Sequence, residues 1–201
     1  MRAVITAVVL SALLVGCGGG RDKPEPNIVT STRNLPPMAW DHRPEAPDWT
    51  RAGLRAVASH GQNLVSTVPQ DIRKYCPGYV RASEQERAAF WVGLLSALAK
   101  YESTWRPEAV GGRSQWYGLV QIDPRTAQGY GCRAQSGRAL TDGSLNISCA
   151  VRIADYQVGR DEFVVGNGNG WRGMARDWAP FRVAEKREWI ADWTSAQPYC
   201  R

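Results

Sequence analysis

Residues 83–107 read SEQERAAFWVGLLSALAKYESTWRP, and they form the most strongly patterned segment of the chain. Ser83 followed by Glu86 is a capping box, in which the two side chains satisfy free backbone N–H groups at a helix start. Apolar residues then recur every three or four positions, which is typical of a helix packed on a core. Pro107 disfavours helical backbone in the residue before it. The pattern therefore predicts a helix that begins after Ser83 and carries Glu102 in its last turn.

Other segments also favour helices, and strand patterns are scarce. The caps and spacings predict four further helices: residues 49–59 behind Asp48, a short helix behind Asp123-Pro124, residues 147–158 behind Asn146, and residues 183–194. Val164-Val165 and residues 118–122 are the only segments with the character of short strands. The fold class is therefore predicted to be mainly α.

The composition excludes several classes of protein. With 201 residues, of which 43% are hydrophobic and 22% charged, the chain can bury one domain's core, so neither wholesale disorder nor a fibrous repeat is expected. The two histidines leave little material for a multi-histidine metal site or a Ser-His-Asp triad. The net charge of +6 comes from scattered arginines and lysines, which is typical of a solvated surface. We expect no metal and no cofactor.

The first sixteen residues have the pattern of an export signal. A basic Arg2 is followed by an apolar run shorter than the roughly 20 residues that cross a bilayer. The run ends in LVGC at residues 14–17, which resembles the bacterial lipobox, so Cys17 is predicted to be lipidated after cleavage. The alternative is an ordinary signal peptide at residues 1–16 whose following cysteine pairs elsewhere.

Residues 17–47 are predicted to form a tether in front of a domain at residues 48–201. Three glycines follow the cysteine, and the segment holds six of the twelve prolines, which prevents a regular helix. Gly18, rather than an aspartate, follows Cys17, and in lipoprotein sorting this resembles an outer-membrane destination. We therefore expect a periplasmic protein whose membrane partner is bound through the lipid at Cys17.

The other four cysteines predict disulfides. Cys76, Cys132, Cys149 and Cys200 are an even number in an exported chain. Three pairings are open, and we favour Cys132 with Cys149, which closes a short loop, and Cys76 with Cys200, which ties the C-terminus to the front of the domain. A metal site is the rival interpretation, but none of the four forms a CxxC pair.

Two linked motifs in the middle of the chain resemble the soluble lytic transglycosylase (SLT) family. They are ESTWRPEAV at residues 102–110 and GLVQIDPRTA at residues 118–127, and Asn146-Ile147 resembles the family's next block. Together the blocks span about residues 85–160. The resemblance implies a lysozyme-like, mainly α fold related to goose-type lysozymes.

The resemblance also implies that Glu102 is the catalytic residue. Cleavage of a β-1,4 glycosidic bond requires an acid that stays protonated near neutral pH, and burial among apolar groups can raise the pKa of a glutamate from about 4.3 towards about 6. Glycosidases commonly pair two carboxylates. Asp123 is the nearest candidate partner, but an aspartate before proline is more often a helix cap. The family's chemistry needs only one carboxylate, which serves first as acid and then as base towards the C6 hydroxyl of muramic acid.

Supporting residues follow from the same motifs. Ser103 is expected to bind substrate or to orient the glutamate, and Gln121 is expected in the floor of the cleft. Trp116 and Tyr117 lie beside the second motif, where they serve either as cleft wall or as packing. Trp178, in MARDWAPF at residues 174–181, stands where the family's third motif has a tyrosine, and we expect it to bind substrate.

These observations predict a peptidoglycan lytic transglycosylase that cleaves glycan strands and leaves 1,6-anhydro ends. Its expected partners are peptidoglycan strands, the membrane and cell-envelope machinery, and no nucleic acid is expected. Two alternatives stay open. One is a hydrolytic lysozyme, which would leave reducing ends. The other is a catalytically weak peptidoglycan-binding or secretion-assembly module, which the altered third motif suggests.

Overall fold

The structure, a computed structural model, describes residues 35–166 and 170–201. The predicted signal peptide, Cys17 and the tether up to residue 34 lie outside the described residues. Among the residues that are described, no helix combines the length and the apolar character needed to cross a bilayer.

Regular structure in the described residues is almost entirely helical, which confirms the mainly α fold class. The helices are α1 (Ala46–His60), α2 (Gln62–Ser66), α3 (Ile72–Tyr75), α4 (Glu84–Glu102), α5 (Pro124–Gly129), α6 (Gly137–Leu140), α7 (Gly143–Asp161) and α8 (Ala184–Ser195). Strands β1 (Val110–Gly111) and β2 (Trp116–Tyr117) pair antiparallel. The longest helices pack against one another, α1 on α7 and α8 on α4.

Helix α4 lies at the centre of the core. All its residues from Ala89 to Ala99 are buried, and it contacts α1, α2, α7 and α8. A helix that is apolar all round has to be enclosed by other elements. The predicted capping box is present, because Ser83 accepts from the backbone of Glu86 and the glutamate side chain accepts from the backbone of Ser83. The helix ends at Glu102, as predicted.

A glycine in the middle of α4 lets the C-terminal segment approach the helix. A side chain at Gly93 would collide with the hydroxyl group of Tyr199. That hydroxyl donates a hydrogen bond of 3.2 Å to the backbone carbonyl of Pro37. Gly93 therefore allows one buried tyrosine to join the two ends of the domain across α4.

The domain begins earlier than predicted, because residues 35–47 are not all part of a tether. Met38 is 4% exposed and Trp40 is fully buried in the core. The indole nitrogen of Trp40 donates a hydrogen bond of 2.9 Å to the hydroxyl oxygen of Thr50. The prolines of this segment suggested a tether, but they do not prevent irregular backbone from packing its apolar side chains on the helices.

Helix α1 also begins earlier than predicted, at Ala46 rather than at Trp49. Pro47 lies in its first turn, where the missing N–H of proline has no helical partner to lose. Asp48 is therefore inside the first turn and is not the cap. Its carboxylate lies 2.7 Å from the guanidinium group of Arg51.

Helix α7 begins one turn before its predicted start at residue 147. Its cap is Asp142, whose side chain accepts a 3.0 Å hydrogen bond from the backbone N–H of Leu145. Asn146, the predicted cap, lies within the helix and is fully buried. This difference frees the asparagine side chain for contacts outside its own helix.

The strands predicted at Val164-Val165 and at residues 118–122 are absent from the described residues. The backbone N–H groups of Val164 and Val165 donate to the carboxylate of Asp71 at 2.7 and 3.0 Å, in place of a strand partner. Residues 118–122 form a turn after β2, in which Ile122 bridges back to Tyr117.

Two disulfides have the favoured pairing, Cys76 with Cys200 and Cys132 with Cys149. The first joins residues 124 positions apart and fixes the C-terminus beside the start of the domain. The second joins residues 17 positions apart and fixes the segment after α5 to helix α7.

Removing the Cys76–Cys200 bond should destabilise the protein more than removing the Cys132–Cys149 bond. In the chain-entropy account, a cross-link that closes a loop of about 15 residues stabilises by about 3 kcal/mol and one that closes about 100 residues by about 4.7 kcal/mol. We expect C76A/C200A to lose about 1 to 2 kcal/mol more unfolding free energy than C132A/C149A, measured by urea denaturation without reductant. Equal losses, or the reverse order, would contradict this expectation.

Candidate active site

The backbone leaves helix α4 directly after Glu102 through a strained turn. Thr104 and Trp105 have φ angles of 54° and 56°, in the left-handed region. This region is rare for residues with a side chain, especially for a β-branched threonine, and it costs on the order of 1–3 kcal/mol per residue. Such backbone persists only when its surroundings fix it firmly, and it is concentrated at functional sites.

Hydrogen bonds to the helix hold this turn in place. The backbone N–H of Trp105 donates to the carbonyl of Ala99 at 3.2 Å, and its indole nitrogen donates to the carbonyl of Ser96 at 2.8 Å. The hydroxyl of Ser103 donates to the carbonyl of Leu119 at 2.8 Å. The turn is therefore locked both to α4 and to the second motif.

Glu102 has the electrostatic properties of a general acid. Its side chain is half-buried, and burial raises the pKa of its carboxyl group to about 7, while the nearby Lys186 on α8 lowers this pKa in part. None of the described residues donates a hydrogen bond to the carboxylate. A carboxyl group with this pKa is protonated in a large fraction of molecules at neutral pH and can donate its proton to a substrate.

A layer of aromatic rings and lysines joins α8 to the end of α4. The rings of Tyr101 and Trp189 meet edge to face with centroids 5.6 Å apart. The amine of Lys100 lies 3.4 Å from the ring centroid of Trp189, and the amine of Lys186 lies 5.5 Å from that of Tyr101. These contacts place Lys186 beside the helix end that carries Glu102.

The second motif forms a tight loop at residues 118–121, next to the end of α4. Gly118 has a φ of 82°, and a side chain there would collide with the carbonyl of Leu140. Gln121 also has left-handed backbone, with a φ of 50°. Its side-chain amide donates to the carbonyls of Gly118 and Ala109 at 2.9 and 3.1 Å. The amide nitrogen of Gln121 is therefore used to hold the loop, and a place in the floor of the cleft stays a prediction.

Asn146 fixes the same loop from helix α7, a role that the sequence interpretation missed. Its side-chain oxygen accepts from the backbone N–H of Val120 at 3.0 Å, and its nitrogen donates to the carbonyls of Tyr117 and Leu140 at 2.9 and 3.0 Å. Unpaired buried polar groups are costly, so all three contacts constrain the loop. The available sequence signal was the resemblance of Asn146-Ile147 to the block that follows the two linked motifs in the family. The cap pattern instead predicted that Asn146 caps a helix.

The prediction that Trp178 binds substrate directly is wrong. Its side chain is 3% exposed, and its indole nitrogen donates a 2.9 Å hydrogen bond to the carbonyl of Val120. A ring with so little exposed surface cannot stack on a sugar. Trp178 instead supports the loop at residues 118–121 from the side of the core.

The other predicted binding residues differ in how accessible they are. Trp116 is 45% exposed on β2 and can offer its ring to a ligand. Tyr117 is half-buried, with its hydroxyl donating to the carbonyl of Ser114 at 2.8 Å. Ser103 is 5% exposed, and its hydroxyl is already bonded to Leu119, so the geometry favours an orienting role over substrate binding.

Asp123 serves as a helix cap. Its carboxylate accepts a 2.7 Å hydrogen bond from the backbone N–H of Arg125 at the start of α5. The described residues contain no group of three or more His, Cys, Asp or Glu side chains arranged to hold a metal ion.

Comparisons with known proteins find one matching family model and several similar solved structures. Residues 80–160 match the family model described as "Transglycosylase SLT domain". A solved structure of wild-type DslA is 27% identical in sequence to this chain. The match spans 84% of this chain and 100% of the DslA chain, with a TM-score of 0.74. Two DslA variants, each with a different glutamate replaced by glutamine, are equally similar, with TM-scores of 0.75 and 0.74. No curated protein matches the chain.

The SLT resemblance of the central motifs is thereby confirmed, and so is the lysozyme-like fold. The matched segment contains α4, the hairpin, the 118–121 loop and most of α7. These are the elements that bring Glu102, Ser103, Gln121 and Asn146 together.

Glu102→Gln should stabilise the protein at pH 8 and have little effect on stability at pH 4. The folded pKa of about 7 lies above the ordinary value of 4.5. Below pH 4.5 the Glu102 carboxyl group is protonated in both the folded and the unfolded chain, so ionisation does not affect the unfolding free energy. As the pH rises from about 4.5 to about 7, the unfolded chain ionises while the folded chain stays protonated, so the wild type loses up to about 3 kcal/mol of unfolding free energy relative to the glutamine variant.

Urea unfolding at both pH values measures this difference. Glu108→Gln is the matched control, because Glu108 is exposed and belongs to the same motif. A stabilisation of E102Q that is the same at pH 4 and pH 8 would show that the pKa of Glu102 is not raised.

Proposed function

We propose that this protein is a peptidoglycan lytic transglycosylase in which Glu102 is both the acid and the base. The observation that carries the proposal is the half-buried Glu102 carboxyl group, with its pKa near 7, beside a rigid loop of the second SLT motif. The substrate class is supported by the SLT family match over residues 80–160. The bond cleaved is the β-1,4 bond between N-acetylmuramic acid and N-acetylglucosamine.

In the first step, protonated Glu102 donates its proton to the glycosidic oxygen. The bond from that oxygen to C1 of the muramic acid breaks, and the leaving sugar departs with a hydroxyl group. Because the Glu102 environment disfavours the ionised form, the proton is available at the pH where the enzyme works. The developing carboxylate gains stability from the positive charge of Lys186.

In the second step, the Glu102 carboxylate accepts the proton of the C6 hydroxyl of the same muramic acid. The C6 oxygen bonds to C1, which closes a 1,6-anhydro ring and returns Glu102 to its protonated form. The attacking group is already part of the substrate, so it benefits from a high effective concentration. No water is consumed, and one residue serves both steps.

The proposed route needs only one carboxylate, whereas a hydrolase commonly pairs two. Glycosidases that use two carboxyl groups hold them about 5 to 9.5 Å apart. The charged side chain that acts on the pKa of Glu102 is Lys186, and no carboxylate among the described residues contributes. Asp123, the nearest acidic candidate in the second motif, is engaged as a helix cap.

The altered third motif does not favour a catalytically weak binding module. Trp178 is directed into the core and bonds to Val120, so it supports the 118–121 loop rather than leaving it unsupported. Together with Asn146, it holds that loop from the side of the core. The geometry of the loop therefore supports catalysis.

We further propose that the protein works in the periplasm, anchored by a lipid at Cys17. The lipobox-like sequence and the following Gly18 support the anchor and an outer-membrane destination. The two disulfides support an oxidising compartment, where such bonds persist. Partners in the cell-envelope machinery are consistent with this location.

Digestion of purified peptidoglycan tests the activity. We expect the wild type to release muropeptides with 1,6-anhydro ends, which are lighter by one water than reducing ends, and E102Q to be slower by about 10²- to 10⁴-fold. The rate of the wild type should fall as the pH rises through about 7, because the first step needs protonated Glu102.

Glu108→Gln is the control for the loss of a negative charge in the same motif, and it should cleave normally. Reducing ends from the wild type would identify a hydrolase. Binding of peptidoglycan without any cleavage would identify a binding module.

Cys17→Ser should abolish lipid attachment. In bacteria fed radiolabelled palmitate, we expect label on the wild type and none on C17S, which should also leave the membrane fraction. A labelled C17S protein, or an unlabelled wild type, would contradict the anchor.

A further inference from the structure

A cavity of about 330 Å³ lies between α1, α7 and the segment that follows α5, apart from Glu102. Its size is that of a small-ligand pocket. Its lining combines arginines, the hydroxyl group of Ser148 and apolar groups such as Leu145. Nothing in the proposed cleavage mechanism uses this cavity.

The cavity is strongly basic. Arg55, Arg133 and Arg152 line it, and none of its twelve lining residues is an aspartate or glutamate. None of these arginines forms a salt bridge with a carboxylate of the described residues. By contrast, the other two arginines of these helices, Arg51 on α1 and Arg160 on α7, each form a salt bridge with an aspartate.

The three arginines come from separate elements. Arg55 lies on α1, Arg152 on α7, and Arg133 directly follows Cys132, which the disulfide ties to Cys149 on α7. Arg55 and Arg133 are exposed and Arg152 is half-buried, so an anion from solvent can reach all three guanidinium groups. A disulfide that holds one of these charges in place fits a preformed site for an anion.

The cavity shares helix α7 with the proposed active site. Leu145 and Ser148 line the cavity, while Asn146, between them in sequence, holds the second-motif loop. A ligand in the cavity would therefore lie across one helix from the loop beside Glu102.

The mixed lining indicates the chemistry of the ligand. Guanidinium groups bind carboxylates in bidentate fashion, serine hydroxyls donate or accept further hydrogen bonds, and alanine and leucine side chains pack against aliphatic groups. A short peptide that carries several carboxylates offers anionic groups to the arginines and aliphatic groups to the apolar part of the lining. The peptide stems of peptidoglycan are of this class.

We propose that the cavity lined by Arg55, Arg133 and Arg152 binds the carboxylates of a peptidoglycan peptide stem. This inference rests on the proposed function for its choice of substrate, but not on catalysis by Glu102. Stem binding at this site would favour glycan strands that keep their peptides over strands from which the peptides have been removed.

The test is a titration of the purified full chain with the tripeptide L-Ala-γ-D-Glu-meso-diaminopimelate, followed by NMR of the backbone amides. We expect the amide signals of Arg133 and Ser148 to shift, and R133Q/R152Q to bind at least about tenfold more weakly. The same peptide with its carboxylates converted to carboxamides should not bind.

R73Q/R81Q is the matched control, because Arg73 and Arg81 line a different cavity, are exposed and have no carboxylate partner among the described residues, and their replacement removes the same total charge. It should bind the tripeptide as the wild type does. Equal weakening in both double variants, or binding of the carboxamide peptide, would overturn the proposal. Tripeptide binding that shifts no amide signal of the cavity would also overturn the proposal. The same holds if phosphatidylglycerol vesicles bind the cavity more tightly than the tripeptide does.

Digestion separates this proposal from the proposed function. Anhydro products without tripeptide binding would overturn the stem site alone. Tripeptide binding at the cavity without any cleavage would overturn the transglycosylase activity and leave the stem site standing. Circular dichroism of both double variants checks that their fold is unchanged.

Discussion

A carboxyl group keeps its proton near neutral pH when water is largely withdrawn from it, and this requirement explains much of the structure around Glu102. The residue stands at the end of a helix whose whole central part is buried. Gly93 lets the C-terminal segment close over that helix, and the Cys76–Cys200 bond holds the segment in place. The side chain of Glu102 is therefore half-buried, with enough water withdrawn to raise its pKa and with part of its surface open to a substrate.

The environment of Glu102 depends equally on a few buried polar contacts. Ser103, Asn146 and Trp178 each hold a backbone group of the loop at residues 118–121, and they come from three separate parts of the chain. Each contact satisfies a polar group that would otherwise be buried without a partner, so the loop has little freedom to move. Strained backbone at Thr104 and Trp105 is held in place by the hydrogen bonds from Trp105 to Ala99 and Ser96 of α4.

Positive charge is used in two different ways. Lys186 lies close enough to Glu102 to stabilise its ionised form, and it limits how far burial raises the pKa. The arginines around the α1–α7 cavity face no carboxylate and are available to an external anion. The net charge of +6 thus includes charges with distinct local roles, which a count over the whole chain does not reveal.

The sequence by itself determined the features that depend on neighbouring residues. The capping box, the apolar periodicity and Pro107 set the bounds of α4, and the linked SLT motifs identified Glu102 as the candidate acid. The even number of cysteines, with one short and one long spacing, led to the favoured disulfides.

The tertiary structure decided everything that requires residues distant in sequence to meet. It placed Trp40 in the core although prolines surround it, moved Asn146 from a cap to a loop support, and buried Trp178. It also gathered Arg55, Arg133 and Arg152 around one cavity. Periodicity reports which side of an element is apolar, but the partner of that side is set by packing between elements, and packing is a property of the whole fold.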